Sequence, residues 1–382
     1  MMPMKKSNQS ARYDRHKLID WFSQEDLESS HIAVVGTGAV GNEVLKNLAL
    51  LGVGKIDIFD FDNIEIHNLT RTVLFTESDI GRSKVDAAKE KIKLINPNID
   101  VNAFAGDAWE LIGFDQLKSY NSVICCADNF EIRIQLNKLC YISKIDLVNL
   151  AIDSKFVSIE TFPFSKGDNS PCYECTLPSG VYNKISQRYS CGWLKKISFI
   201  EKKIPTTIIT SSIAGSLGVS KALKFENKKD LIEKDFERIF LDSFTGSSTV
   251  SKIFKKEMCI GCSLDNEFLE IFSSKSQIGN ELIKSSRDFD LDLYLSDPLI
   301  FGGKCTNKEC DHKIDDVCIL KKASKFDDSI SKCNNCNSNS VDIEIKDRTT
   351  LEELLTNFSG YSLDCKFLYF ANEEKTTIIE MR

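Results

Sequence analysis

His31-Ile-Ala-Val-Val-Gly36-Thr-Gly38-Ala-Val-Gly41 is the stretch that decides the fold. A short apolar run enters a G-x-G-x-x-G turn, and helix-forming sequence follows from Asn42 to Leu51, the strand, turn and helix that open a doubly wound sheet. Each glycine answers a backbone need. One takes φ > 0 in the tight turn, one lacks a Cβ so that the main chain can approach phosphate, and one lets the helix pack closely on the strand. The phosphate then meets the free N–H groups and the positive end of that helix.

Downstream, Ile56-Asp-Ile-Phe-Asp60-Phe-Asp62 reads as a second strand ending in two acids, with Asp60 nineteen residues beyond Gly41, where it suits a ribose hydroxyl. To this point NAD or FAD fits better than ATP. Asn68-Leu-Thr-Arg71 and Lys84, thirteen residues after Arg71, change the reading. A dinucleotide carries only a pyrophosphate diester and has no use for two cations behind the ribose acid, whereas an enzyme that splits ATP between its α- and β-phosphates needs all of these groups. Each cation alone reads as a solvated surface charge; the ordered set reads as a polyphosphate site. Asn121-Ser-Val-Ile-Cys125-Cys126-Ala-Asp128-Asn129 adds another strand with Asp128 at its carboxyl end, where open α/β sheets hold ligands and Mg²⁺. Cys125 and Cys126 end an apolar strand and read as core. Arg133 and Asn137 follow at a spacing of four and share a helix face.

Taken together, Arg12-Tyr-Asp-Arg15, Gly36 to Gly41, Asp60-Phe-Asp62, Asn68-Leu-Thr-Arg71, Lys84 and Ala127-Asp128-Asn129 resemble the adenylation motifs of the ThiF/MoeB/HesA family, bacterial relatives of ubiquitin-activating enzymes. The resemblance covers roughly residues 11 to 265, with Thr72 standing where the family often has Gln. It implies adenylation of a carboxylate, usually the C-terminal glycine of a ubiquitin-like or sulfur-carrier protein, with release of pyrophosphate. It also implies that Arg15 reaches a partner subunit's nucleotide site in a homodimer. On this reading Gly36, Gly38 and Gly41 approach the phosphates, Asp60 holds the ribose with Asp62 beside it, and Asp128 holds Mg²⁺ next to Asn129. Asn68, Arg71, Lys84 and Arg15 offset the charge of departing pyrophosphate. No general base is required, because a carboxylate substrate is already ionised near pH 7.

Composition agrees. The chain has 382 residues, 42% of them hydrophobic, and a net charge of −7, which argues against nucleic acid as a main partner. Its start lacks an apolar segment and no run approaches a membrane span, so a cytoplasmic location is expected. Fourteen cysteines without an export signal read as reduced thiols, and pairs at ligand spacing then point to metal. Cys172-Tyr-Glu-Cys175 and Cys259-Ile-Gly-Cys262 are two knuckles able to complete a tetrahedral Zn²⁺ site once the fold joins them, and many ThiF-like proteins resemble this. Cys305, Cys310, Cys333 and Cys336 form a second set, with His312 or Cys318 as substitute ligands and unliganded loop thiols as the other reading.

The expected organisation is an N-terminal helical arm over 1–30, a Rossmann-like, mostly parallel α/β domain over 31–265, a linker over 266–300, and a zinc-ribbon with a small α+β module over 301–382. In that module Thr349 or Thr350 caps a short helix and two strands follow. A helix is expected over Ile213 to Phe225. Cys191, with Arg188 three residues before it, reads either as a nucleophile that accepts the activated acyl group or as a buried structural thiol. Three rival functions remain open from sequence. One is a peptide-modifying enzyme of antibiotic synthesis that adenylates a precursor peptide, since some family members of that kind carry a similar Asn-Leu-Thr-Arg; the others are an NAD-dependent oxidoreductase and a non-catalytic scaffold, which the intact Arg71, Lys84 and Asp128 oppose.

Overall fold

His31–Val35 forms β1, buried at every position but the first, because Ile32, Ala33, Val34 and Val35 have apolar neighbours on both faces of the sheet. The computed structural model describes residues 11–167, 170–178, 180, 205–226, 235–257, 259, 261–262, 265–273, 292–310, 312–313, 318–323, 333, 335–336, 341–358, 361–371 and 375–381. The chain divides into two units, Met1–Ser263 and Leu264–Arg382.

In the first unit, α1 (Gln24–Ser29) precedes β1, and α2 (Ala39–Leu51), β2 (Lys55–Asp60), α3 (Lys84–Ile95) and β3 (Asp100–Ala105) follow. Two short helices, α4 (Ala108–Leu111) and α5 (Phe114–Lys118), lead to β4 (Ser122–Cys125), α6 (Phe130–Ser143) and β5 (Asp146–Ile152). Then come β6 (Phe156–Phe162), α7 (Ile208–Glu226), β7 (Glu237–Asp242) and β8 (Ser248–Lys252). The sheet order is β3-β2-β1-β4-β5-β6-β7-β8. β1 to β5 are parallel, and β6, β7 and β8 extend the sheet antiparallel. This is the expected mostly parallel, Rossmann-like sheet. The order reverses between β1 and β4, and a doubly wound sheet opens a ligand crevice at the carboxyl ends of the strands flanking that point. One core joins Ile32, Val34, Ile56 and Ile58 of the sheet to Val44, Leu45 and Leu48 of α2, Val85 and Ile92 of α3, and Ala214 and Val219 of α7.

Two helix boundaries differ from expectation. α2 begins at Ala39, so Gly41 lies inside the first helical turn. α7 begins at Ile208 instead of Ile213, because Thr207 accepts from the Thr210 N–H through Oγ1 and from the Ser211 hydroxyl through its carbonyl. Hydroxyls that look like loop sequence thereby satisfy the backbone of a first helical turn.

The second unit is a five-stranded sheet of order β11-β10-β12-β13-β9, built from β9 (Asp265–Ser273), β10 (Asp292–Cys305), β11 (Val341–Thr349), β12 (Phe367–Ala371) and β13 (Lys375–Met381). The expected linker over 266–300 is therefore corrected. β9 pairs parallel with β13, and β10 pairs with β11 and β12, so both segments are sheet strands. α8 (Leu351–Asn357) is capped by Thr350, whose side chain accepts from the Glu353 N–H at 3.1 Å. Among the described residues, no helix is long and apolar enough to cross a membrane.

Candidate functional site

At the carboxyl ends of β1 and β2, the glycine turn is held by side chains. Gly36 has φ +92°, and a Cβ there would lie 3.0 Å from the Cys126 carbonyl carbon. A Cβ at Gly41 would lie 1.9 Å from the Gly36 carbonyl oxygen, which makes Gly41 the close-packing glycine. At Gly38, the N-cap of α2, no described atom lies within 4 Å of the Cβ position. The turn is thus filled behind and open in front, where a phosphate meets the N–H groups of α2.

Asp60 closes the turn from β2. Its Oδ2 accepts from the Thr37 N–H at 2.6 Å and the Thr37 hydroxyl at 2.7 Å, and its Oδ1 accepts from the Asp62 N–H at 2.8 Å. A carboxylate has about four lone-pair sites, so Oδ1 keeps one for a ribose hydroxyl. Asn42, fully buried, was not singled out from sequence. Its Nδ2 donates to the carbonyls of Thr37 at 2.6 Å and Gly38 at 3.2 Å, while its Oδ1 accepts from the Leu74 N–H at 3.0 Å. It joins the glycine turn to the segment carrying Arg71. An asparagine one residue past the turn was the available signal.

Asn68 sits on a 3₁₀ turn, Ile66–Thr70, that follows β2, and Arg71 is the residue that ends it. The Asn68 Oδ1 accepts from the Glu65 N–H at 2.9 Å, and Thr72, buried, donates to the Asn68 carbonyl at 3.0 Å. The Thr at 72 therefore shapes the turn. Arg71 donates to the His67 carbonyl at 2.7 Å and is half-buried. Lys84, at the start of α3, is brought back by main-chain pairing of its N–H with the Asp62 carbonyl, and its ammonium lies 2.6 Å from Asp62 Oδ2. Only one ammonium hydrogen is used there, and a lysine has three.

Asp128 follows β4 at the same edge of the sheet and is exposed, without a hydrogen-bonding or ionic partner among the described residues. A free carboxylate suits a hard, hydrated dication. Asn129 caps α6, its Oδ1 accepting from the Ile132 N–H at 2.9 Å. Cys125 is fully buried, and Cys126 lies under the glycine turn, 3.7 Å from a Cβ at Gly41.

Arg15 lies elsewhere. Tyr13 is buried against Gly52, and its hydroxyl accepts from Asn96 Nδ2 at 2.8 Å, while Arg12 donates to the Ile95 carbonyl at 2.7 Å. These contacts fix the arm at the C-terminal end of α2 and leave Arg15 exposed. The 13-residue α2 separates that end from the glycine turn by about 20 Å. Cys191 and Arg188 lie outside the described residues, so the nucleophile and structural readings of Cys191 stand as they were.

The four knuckle cysteines do meet. Cys172, Cys175, Cys259 and Cys262 are all buried with their sulfurs within 4.8 Å of one another, Cys172 to Cys259 at 3.6 Å and Cys175 to Cys262 at 3.5 Å. A tetrahedral site with Zn–S of about 2.3 Å has S···S edges of about 3.8 Å, so the cluster fits Zn²⁺. Cys305, Cys310, Cys333 and Cys336 form a second such cluster, with 3.6 Å from Cys305 to Cys336 and 3.7 Å from Cys310 to Cys333. The amides of Asn307 and Asn335 donate to the sulfurs of Cys336 and Cys310 at 3.8 and 3.4 Å. Such outer donors orient metal-ligating thiolates. His312 and Cys318 are not in the cluster.

A family profile described as ThiF family matches residues 12–264. The molybdopterin-synthase adenylyltransferase of Escherichia coli (strain K12) is 35% identical over 170 residues, 43% of this chain and 66% of that protein. Ubiquitin-like modifier-activating enzyme 5 of Drosophila grimshawi is 30% identical over 213 residues, 53% of this chain and 51% of that protein. The chain thus spans just under two thirds of the bacterial relative and about half of the fly one. Among solved structures, E. coli MccB with AMPCPP and MccA matches with a TM-score of 0.54 and 23% identity, over 68% of this chain and 75% of that one, a likeness of fold alone.

Proposed function

The chain belongs to the ThiF family, and from that premise we propose that it adenylates a carboxylate with ATP, releasing pyrophosphate. The observation that carries the reading is the convergence on one sheet edge of an open glycine turn, the Lys84 ammonium and the free Asp128 carboxylate. Gly38 and the first turn of α2 bind phosphate through N–H groups, and Asp60 keeps one lone pair for ribose. Asp128 holds Mg²⁺, which supplies charge neutralisation at the phosphates. Arg71 and Lys84 offset the charge that builds as pyrophosphate leaves.

We infer that the substrate is the C-terminal glycine of a ubiquitin-like or sulfur-carrier protein, the ubiquitin-like class being the one named for the fly relative. Arg15, about a helix length from its own chain's turn, serves the site of a second copy, so the working unit is a homodimer. Reduced thiols at two metal clusters fit the cytoplasm. A second reading, adenylation of a precursor peptide, is favoured by Asn68-Leu-Thr-Arg71, which resembles the motif of peptide-modifying family members.

ATP–pyrophosphate exchange against a panel of candidate proteins and peptides is the test. Exchange appears only with a carboxylate the enzyme activates, and Arg71→Ala, Lys84→Ala or Asp128→Ala each lowers it by roughly 10² or more, the scale of removing one transition-state stabiliser. Wild-type rates in all three variants remove the adenylation reading.

A further inference from the structure

Behind the Asp128 loop lies a buried polar chain that nucleotide binding itself does not use. The β4–β5 ladder ends at the pair Cys125 and Asn149, and past it the chain leaves the sheet towards Asp128. Arg133, one turn into α6 and 7% exposed, spans the split. Its Nη2 donates to the carbonyls of Ala127 and, at 2.6 Å, Leu150, and its Nη1 donates to Asn149 Oδ1. Asn149 Nδ2 passes the contact to Glu160 Oε2 at 2.8 Å, and Glu160 Oε1 accepts from Arg238 Nε at 2.8 Å. The Tyr173 N–H donates to Asn137 Oδ1 at 2.8 Å, one turn beyond Arg133 on α6. Tyr173 itself lies between Cys172 and Cys175.

A buried guanidinium is costly unless its hydrogens are all placed and its charge answered. Here both hydrogens of Nη2 go to backbone carbonyls on the two sides of the split, and the Glu160 carboxylate, shared with Arg238, is reached through Asn149. A planar fork makes such diverging bonds, and a lysine ammonium at the same place does not reproduce them. We propose that Arg133 is a positioning residue that fixes the loop 126–129, and with it the Asp128 carboxylate, while Asn149 holds its guanidinium and the Tyr173 knuckle holds α6 at Asn137. This rests on Asp128 being the cation-binding carboxylate of the adenylation site. The knuckle at Cys172–Cys175 is thereby tied to the nucleotide edge through side chains as well as through the fold.

The test uses the full chain and Arg133→Lys, with Asn149→Ser as the second variant should the first fail to fold. Hydrogen–deuterium exchange without nucleotide is read first. Amides of 126–130 exchange roughly tenfold faster in the variant, the scale of losing a charge-assisted hydrogen bond, while those of His31–Val35 keep their protection. In ATP–pyrophosphate exchange the variant needs roughly tenfold more Mg²⁺ for half-maximal rate, and in an Asp128→Asn background Arg133→Lys adds no further loss. Unchanged loop protection, or losses that add in full with Asp128→Asn, overturns the proposal. Wild-type protein that activates none of the tested carboxylates defeats the adenylation reading instead, and leaves the loop measurement to decide the role of Arg133.

Discussion

At Gly41 the methyl group of alanine would sit 1.9 Å from the Gly36 carbonyl oxygen, and at Gly38 it would meet no described atom. The two substitutions therefore separate folding from binding. Gly38→Ala keeps its stability within the range of ordinary surface changes, about 0.5 kcal/mol, and loses ATP affinity by calorimetric titration. Gly41→Ala forces α2 off β1 and lowers stability by about 3 kcal/mol or more. Equal losses of stability in both would show that Gly38 is a packing position. A second residue-scale prediction concerns Asp57, buried on β2. Burial alone raises its pKa, but the His31 ring 3.1 Å away and hydrogen bonds from Asn102 and Tyr120 together outweigh that and hold it below the ordinary 3.8. A carboxyl depressed by folding stabilises the native state at every pH above its unfolded value of about 3.9, and that contribution disappears as pH falls through the folded value. Wild type should exceed Asp57→Asn in urea stability at pH 7, and the difference should shrink below about pH 4. A gap that stays constant down to pH 2 would mean that the carboxylate charge is irrelevant.

Elements were legible where one residue type dominates the local energy. The apolar runs of β1, β2 and β4 and the glycine turn were readable because burial and positive φ leave few alternatives. The first turn of α7 was missed because its stabilisers are hydroxyls, and β9 and β10 were missed because their partners, β13 and β11, lie far along the chain. Pairing at long range leaves no short-range periodicity. The site followed the same rule. The places of Gly36, Asp60, Lys84 and Asp128 in the candidate site follow from spacing, whereas Asn42 and Arg133 make their contacts with residues 32 and 16 positions away. Asn42 links two elements, the start of α2 and the segment after Arg71. Asn42→Ala leaves the Leu74 N–H buried without a partner, a cost of about 1–3 kcal/mol, and frees the Arg71 segment. Stability and exchange should fall together, with KM for ATP rising. A variant with lowered melting temperature but unaltered KM would detach Asn42 from the site.

On the scale of the whole chain, each unit carries its own four-sulfur cluster. The first joins Cys172 to Cys259, 87 residues apart, and the second joins Cys305 to Cys336, 31 residues apart, where β10 leads into β11. Closing the longer loop costs only about 0.9 kcal/mol more by the logarithm of loop length, so neither cluster dominates on entropy alone. The larger quantity is metal binding itself, on the order of 10 kcal/mol for a structural Zn²⁺, which becomes folding free energy when the unfolded chain lacks a site. Purified protein should hold two Zn²⁺ per chain by elemental analysis. Cys259→Ser should release one and expose the amides around Cys172–Thr176 and α6 to exchange, with β10 to β13 unaffected. Cys333→Ser should release the other and open the ends of β10 and β11, with β1 to β5 unaffected. Because the Tyr173 N–H donates to Asn137 on α6, one turn beyond Arg133, the first substitution should also loosen residues 126–130, and the second should not. Loosening of that loop by Cys333→Ser would mean that the units share one stability; its absence in Cys259→Ser would mean that the knuckle is inert towards the nucleotide edge.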